Sequence, residues 1–156
     1  MEDVGQRYTV SVDNISLPTT PSAYDLLLFA PAAGIPMALD YILVTAAQTT
    51  GTILRVVLTR RSTASTGGTG VVPTPGASPA APSASTTVTY TNSSTVGTAS
   101  GTPLDAQEWN ELAPYEYDVR PSGRLIVPGT WLGLFLPVAP ASGIQVSVRA
   151  EFVEYK

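Results

Sequence analysis

Ile144-Gln145-Val146-Ser147-Val148-Arg149-Ala150-Glu151-Phe152 decides the fold class of this chain. Apolar and polar residues alternate through it with a period of two. A pleated strand sends successive side chains to opposite faces, so the stretch has one buried face and one wet face. Toward the N-terminus, Arg124-Leu125-Ile126-Val127 and Trp131-Leu132-Gly133-Leu134-Phe135-Leu136 are short apolar runs around Pro128-Gly129. Proline presets φ and glycine takes positive φ, so the pair reads as a turn and the runs as a hairpin. Thr52 to Arg61 is rich in β-branched residues, follows Thr50-Gly51, and pairs naturally with Met37 to Gln48. Tyr24 to Ala30 is apolar on both faces, hence central or covered by a neighbour. Arg7 to Val12 alternates and forms a first strand or arm. Strands cut by Pro and Gly, without a long helical period, predict an all-β chain: an antiparallel β-sandwich or jelly roll of roughly eight strands.

At most one short helix is expected, over about 103–112. Thr102 is an N-cap residue, Pro103 suits the first helical position and Asp105 suits the positive helix end. Trp109 and Leu112, three apart, would then share its inner face and anchor it to the sandwich, and Pro114 would close it. Trp131 is expected in the core. Tyr115 and Tyr117 alternate on an extended piece that lines a core edge or an interface.

The 156 residues fit a single domain, 1–156, with a core of useful size. Charged residues make up only 13%, about half the usual ~25%. Solubility must rest on Thr, Ser, Asn and Gln, or partners must cover large surfaces. The net charge of −4 and the scattered arginines argue against nucleic acid as a partner. Met1-Glu2-Asp3-Val4-Gly5 is acidic and lacks the apolar core of a secretory signal, and no uninterrupted apolar stretch reaches the ~18 residues of a membrane span. Synthesis in a cytosol and no membrane partner are the expectations.

Residues 62–101 are compositionally biased. Thr63 to Gly70 is Gly/Ser/Thr-rich, Val71-Val72-Pro73-Thr74-Pro75 and Ser78-Pro79-Ala80-Ala81-Pro82 are Pro-rich, and Thr86 to Tyr90 and Thr95 to Thr98 have the makings of short strands. The halves on either side are too small for independent cores, so this is a long excursion within one domain and not an interdomain linker.

The chain contains no His and no Cys, and its sole lysine is Lys156. It therefore lacks an imidazole base, a thiolate nucleophile, a Cys/His metal site and a disulfide framework. Glu108 and Glu111 on the expected helix are the best placed acids for glycoside hydrolysis. The preferred reading is a solvated acidic face. No D-x-D-x-D-G calcium loop occurs, and Gly67-Gly68-Thr69-Gly70 lacks the Lys-Ser/Thr of a phosphate cradle. The expectation is no enzyme, no catalytic residue, no cofactor and no metal.

The order of these features resembles the trimeric jelly-roll head-decoration, or cement, proteins of tailed bacteriophages, including those of cyanophage-type heads. An arm and the apolar strand Tyr24–Ala30 come first, then the segments Met37–Gln48 and Thr52–Arg61. A Gly/Pro-rich excursion with Gly67-Gly68 and Val72-Pro73-Thr74-Pro75 follows. Trp109, the Arg-Leu-Ile-Val-Pro-Gly stretch at 124–129, the strand 131–136 and the alternating strand ending Glu151-Phe152-Val153-Glu154-Tyr155 complete the order. The resemblance implies a structural virion protein on the outer capsid surface. It would be a homotrimer seated on the major capsid protein at three-fold positions, clamping neighbouring subunits without catalysis or cofactor. On residue chemistry, the arm 1–8 and the excursion are the expected contact segments, mobile alone and ordered on the lattice. Their contact residues would be Glu2, Asp3, Val4, Arg7, Tyr8, Val71, Val72, Pro73 and Pro75. A receptor- or glycan-binding head of a phage fibre, and a carbohydrate-binding module, remain the alternatives on the same fold.

Overall fold

A computed structural model describes residues 5–20, 23–48, 51–76, 81–120, 125–127 and 130–156. Every described element is a strand: β1 (Gln6–Ser16), β2 (Tyr24–Ala30), β3 (Met37–Ala46), β4 (Ile53–Arg61), β5 (Thr69–Val71), β6 (Thr74–Pro75), β7 (Thr87–Asn92), β8 (Asp105–Asn110), β9 (Tyr115–Asp118), β10 (Leu125–Val127), β11 (Trp131–Leu136) and β12 (Gln145–Glu154). The strands form two antiparallel sheets packed as a sandwich. The first runs β10-β3-β12-β1-β6, with β9 sharing the β3 edge with β10. The second runs β5-β7-β2-β11-β4-β8.

The pairing is that of a long hairpin rolled into a sandwich. β1 pairs with β12, β2 with β11, β3 with β9 and β10, and β4 with β8. Rolling then brings β12 against β3 and β11 against β4, which completes each sheet. This is jelly-roll topology. Its tip, the connection from β4 to β8, is the excursion of residues 62–101. β7 and β5 extend the second sheet beyond β2, while β6 adds to β1 of the first.

The alternation in β12 does what its pattern requires. Val146, Val148, Ala150 and Phe152 are buried, while Gln145 and Arg149 are exposed. Phe152 stacks on Tyr8 with ring centroids 5.5 Å apart and meets Phe29 edge-on from the second sheet at 6.1 Å. Leu132, Leu134 and Leu136 of β11 lie beside Phe29, Leu27 and Tyr24 of β2 in the second sheet and share its buried face. β2 is central in its sheet, between β7 and β11.

Three expectations are corrected. The two hairpins do not form: β3 and β4 lie in different sheets, as do β10 and β11. Each strand crosses to the opposite sheet and finds its partner far along the chain. Pro128-Gly129 itself lies outside the described residues. The helix over 103–112 is absent. Two turns of helix are marginal alone, whereas the free edge of β4 offers a full ladder, opened by Leu104 N–H donating to Leu58 O at 2.8 Å. Trp109 and Leu112 accordingly share no face. Trp109 is buried and donates its indole N–H to Ala113 O at 2.6 Å, while Leu112 is exposed. Trp131 is half-buried on the outer face of the second sheet, opposite Arg61, and not among the core residues. The described part of the excursion is built into the sandwich: Val88 is buried in the core and Val71 and Tyr90 pack against it.

Candidate contact surfaces

The expected contact residues separate sharply. Glu2, Asp3 and Val4 lie outside the described residues. Arg7 is half-exposed on β1 and pairs with Asp40 at 3.3 Å and Glu151 at 3.6 Å. Tyr8 is fully buried: its ring packs on Phe152 and its hydroxyl donates to Pro82 O at 2.9 Å. It is a core residue and cannot be a contact residue, because the alternation of β1 points it inward. Pro73 is buried, and Val71 and Pro75 are half-buried in β5 and β6. Val72 alone among these stands clear, 82% exposed at the crossing between the edges of the two sheets.

Two polar devices that sequence reading missed hold the excursion down. The first is a buried network on the outer side of the second sheet. Arg61 donates to both carboxylate oxygens of Asp25, at 3.1 and 2.5 Å, and to Gly97 O at 2.7 Å. Ser65 also donates to Asp25 and accepts from Gly97 N–H at 2.8 Å. The guanidinium lies over the Phe135 ring, 4.6 Å from its centroid. Residues from β2, β4 and both arms of the excursion are thereby tied together. Gly133 of β11 leaves the room, since a Cβ there would sit 2.8 Å from Asp25 Oδ1.

The second device is Glu154, fully buried at the end of β12. It accepts from Ser85 N–H at 3.1 Å and Thr86 N–H at 2.5 Å, and Lys156 lies 3.1 Å away. Burial alone would raise its pKa. The amides of Thr86 and Ser85, with Lys156, outweigh burial and hold the carboxyl below the ordinary glutamate value. Carboxylate and ammonium together grip 83–86, for Lys156 also donates to Ser83 O at 3.2 Å.

The acids weighed for catalysis are occupied structurally. Glu108 is exposed on β8 and pairs with Arg55 at 3.3 Å. Glu111 is buried and accepts from Thr52 N–H at 2.9 Å, pinning the turn after β8 to the start of β4. They do not share a cleft. Asp105 accepts from the Tyr115 hydroxyl at 3.0 Å, and burial, with that carboxylate beside it, pushes the phenol pKa far up. Among the described residues no group of three or more acids could hold a metal ion.

Register also assembles a charged face on the first sheet that the scattered arginines did not reveal. Thr9, Glu151, Tyr41 and Asp118 fall in one row across β1, β12, β3 and β9. Arg7, Arg149 and Arg120 all converge on Glu151, and Arg120 pairs with Asp118 at 2.6 Å while lying over the Tyr41 ring. Three cations meet Asp40, Asp118 and Glu151, so the patch neutralises itself and offers no stripe for a polyanion. Comparison with protein-family models, with curated proteins and with solved structures returned no match for this chain.

Proposed function

We propose that this chain is a structural virion protein, a capsid decoration or cement protein that sits as a homotrimer on the outer surface of a phage head and stabilises contacts between major capsid subunits. The observation that carries the reading is how the polar groups are used. Asp25, Glu111 and Glu154 are buried and turned to holding loops against a jelly roll, not to a cleft. Such a chain is a rigid, shaped platform, as a cement protein needs. Fold alone would not choose between functions, because one sandwich hosts many. The low charge and the sequence resemblance favour the capsid over a glycan.

The proposed contact set is amended by burial. Val72 and Arg7 are the described residues of that set with side chains available to a partner, and Val72 is the better anchor because Arg7 is already paired. The test uses heads lacking the protein, prepared from the phage that encodes the chain. Wild-type protein is expected to sediment as a trimer, bind such heads and raise their heat tolerance. Val72→Asp is expected to fold normally and bind more weakly. Binding to a glycan array with none to heads would transfer the reading to the fibre-head or carbohydrate-module alternative.

A further inference from the structure

The second sheet contains an unfilled strand position. β11 pairs with β4 only from Trp131↔Arg61 to Phe135↔Val57, then leaves the sheet. β4 continues for four more residues, back to Ile53, and there, among the described residues, only its β8 side is paired. Backbone groups in an antiparallel strand point alternately to the two sides. Thr52 O accepts from Glu111 N–H at 3.2 Å and Arg60 O from Ser100 N–H at 2.8 Å, so the even-numbered residues face away from β11. Val57, Thr59 and Arg61 face it. By the same alternation the N–H and C=O of Ile53 and Arg55 point toward the place β11 has vacated. Among the described residues, no backbone hydrogen bond joins them to the 137–141 connection.

That vacancy is a groove of about 360 Å³. Ile53 and Leu54 form one wall and Val138, Ala139, Pro140 and Ala141 the other. Ile53 and Val138 are 65% and 64% exposed, two of the few large apolar side chains the described surface leaves uncovered. At the rim Arg55 and Glu108 neutralise each other. In the register of the ladder the residue opposite Arg55 would be Pro137, which has no N–H to give Arg55 O.

We propose that the cleft between β4 and residues 138–141 is a strand-docking groove that takes an extended, uncharged polypeptide segment from another protein. The chemistry selects this occupant. A donor–acceptor pair repeated every second residue matches only the main chain of an extended peptide, the mode known as β-augmentation. Apolar walls of small and β-branched side chains fit Val, Ile, Thr or Ala on the alternate positions, and the self-paired rim gives a charged segment no counter-ion. The open edge spans about 7 Å between Ile53 and Arg55, so the groove contributes one short stretch to a larger contact. The inference stands whether or not the capsid reading holds.

The test is solution NMR on the full chain, with probes named in advance. The panel consists of N-acetylated, C-amidated heptapeptides bearing Val, Ile or Thr at alternating positions and Ser between, matched to a set with alternate amides N-methylated. In the free protein, the Ile53 and Arg55 amides are expected to exchange with solvent at least ten-fold faster than those of Leu54 and Val56. Peptide at millimolar concentration is expected to shift and protect these two amides. The N-methylated set is expected to fail, and Val138→Asp to abolish binding without changing Tm. Slow exchange at Ile53 and Arg55 in the free protein would overturn the proposal, as would fast exchange that no peptide of the panel alters. Protection that instead grows with protein concentration, without peptide, would place a second copy in the groove and overturn assignment to a foreign segment.

Discussion

Replacing Arg61 by alanine tests whether the jelly roll depends on a buried ion pair to hold its longest connection. Arg61 is 2% exposed and its partner Asp25 is fully buried. The substitution removes three hydrogen bonds at once: two to Asp25 and one to Gly97 O. It leaves the carboxylate with Ser65 as its remaining donor of this network. An uncompensated buried charge of this kind costs about 3–5 kcal/mol, a large share of the ~5–15 kcal/mol that stabilises a domain. For a chain of this length each kcal/mol lowers Tm by about 2–4 °C, so Arg61→Ala should melt about 6–20 °C below wild type. Arg55→Ala is the matched control. Arg55 and Glu108 are similarly close at 3.3 Å but more than half exposed, and such a pair contributes only about 0.2–1 kcal/mol. Calorimetry and urea unfolding at neutral pH measure both. The double variant Asp25→Ala/Arg61→Ala should lose less stability than the two single losses added, because neither charge is left alone. Arg61→Ala within about 1 kcal/mol of wild type, or strictly additive single losses, would refute the reasoning.

Glu154 sets an acid limit. Its folded pKa is depressed, so its contribution is complete above the unfolded value near 4.5 and is lost as pH falls through the lower folded value. Glu154→Gln should cost about 1–3 kcal/mol at pH 7 and flatten the acid limb of a stability–pH curve; a limb as steep as wild type would show that other carboxylates carry it. Gly97→Ala should destabilise by about 1–3 kcal/mol, since its Cβ would lie 2.0 Å from Thr63 O, a backbone atom. Gly70→Ala meets nothing within 4 Å and should be neutral or slightly stabilising by urea midpoint, reversing the order expected if both glycines served only flexibility.

What the sequence made legible was periodicity. The alternation of β12, the apolar run of β2 and the absence of a helical stripe specify faces, and faces are local. Partners are not. Met37–Ala46 and Ile53–Arg61 read as a hairpin because they are adjacent and both apolar, yet each would satisfy any strand presenting a matching face. The rolled topology gives β3 to β12 and β4 to β11. Thr102-Pro103-Leu104-Asp105 shows the opposite failure: its capping chemistry is sound locally and loses to a ladder whose other strand lies about 50 residues away. Asp25 and Arg61 each sit in apolar strands, where a charge is costly unless paired. That rule could have linked them, though six arginines besides Arg61 offered themselves.

The long connection from β4 to β8 follows from the topology it closes. In a rolled hairpin the strands on either side of the tip, β4 and β8, pair directly, so a short turn would suffice to join them. The chain instead travels from β4 to the far edge of both sheets and back, laying β5 and β7 beyond β2 and β6 beyond β1. Those edges would otherwise be β1 and β2, strands with buried residues such as Tyr8, Leu27 and Phe29 and open ladders suited to uncontrolled pairing. The excursion covers β2 with the six-residue β7 and ends the two edges with the very short β5 and β6, built of Thr, Gly, Val and Pro, which make poor templates for further strands. It is fastened by Arg61 at its start and by Glu154 and Lys156 beside its middle. With those edges closed, the stretch of β4 that β11 vacates, inside the strand order and beside β8, is the place in the second sheet where addition of a strand is both sterically open and chemically specified.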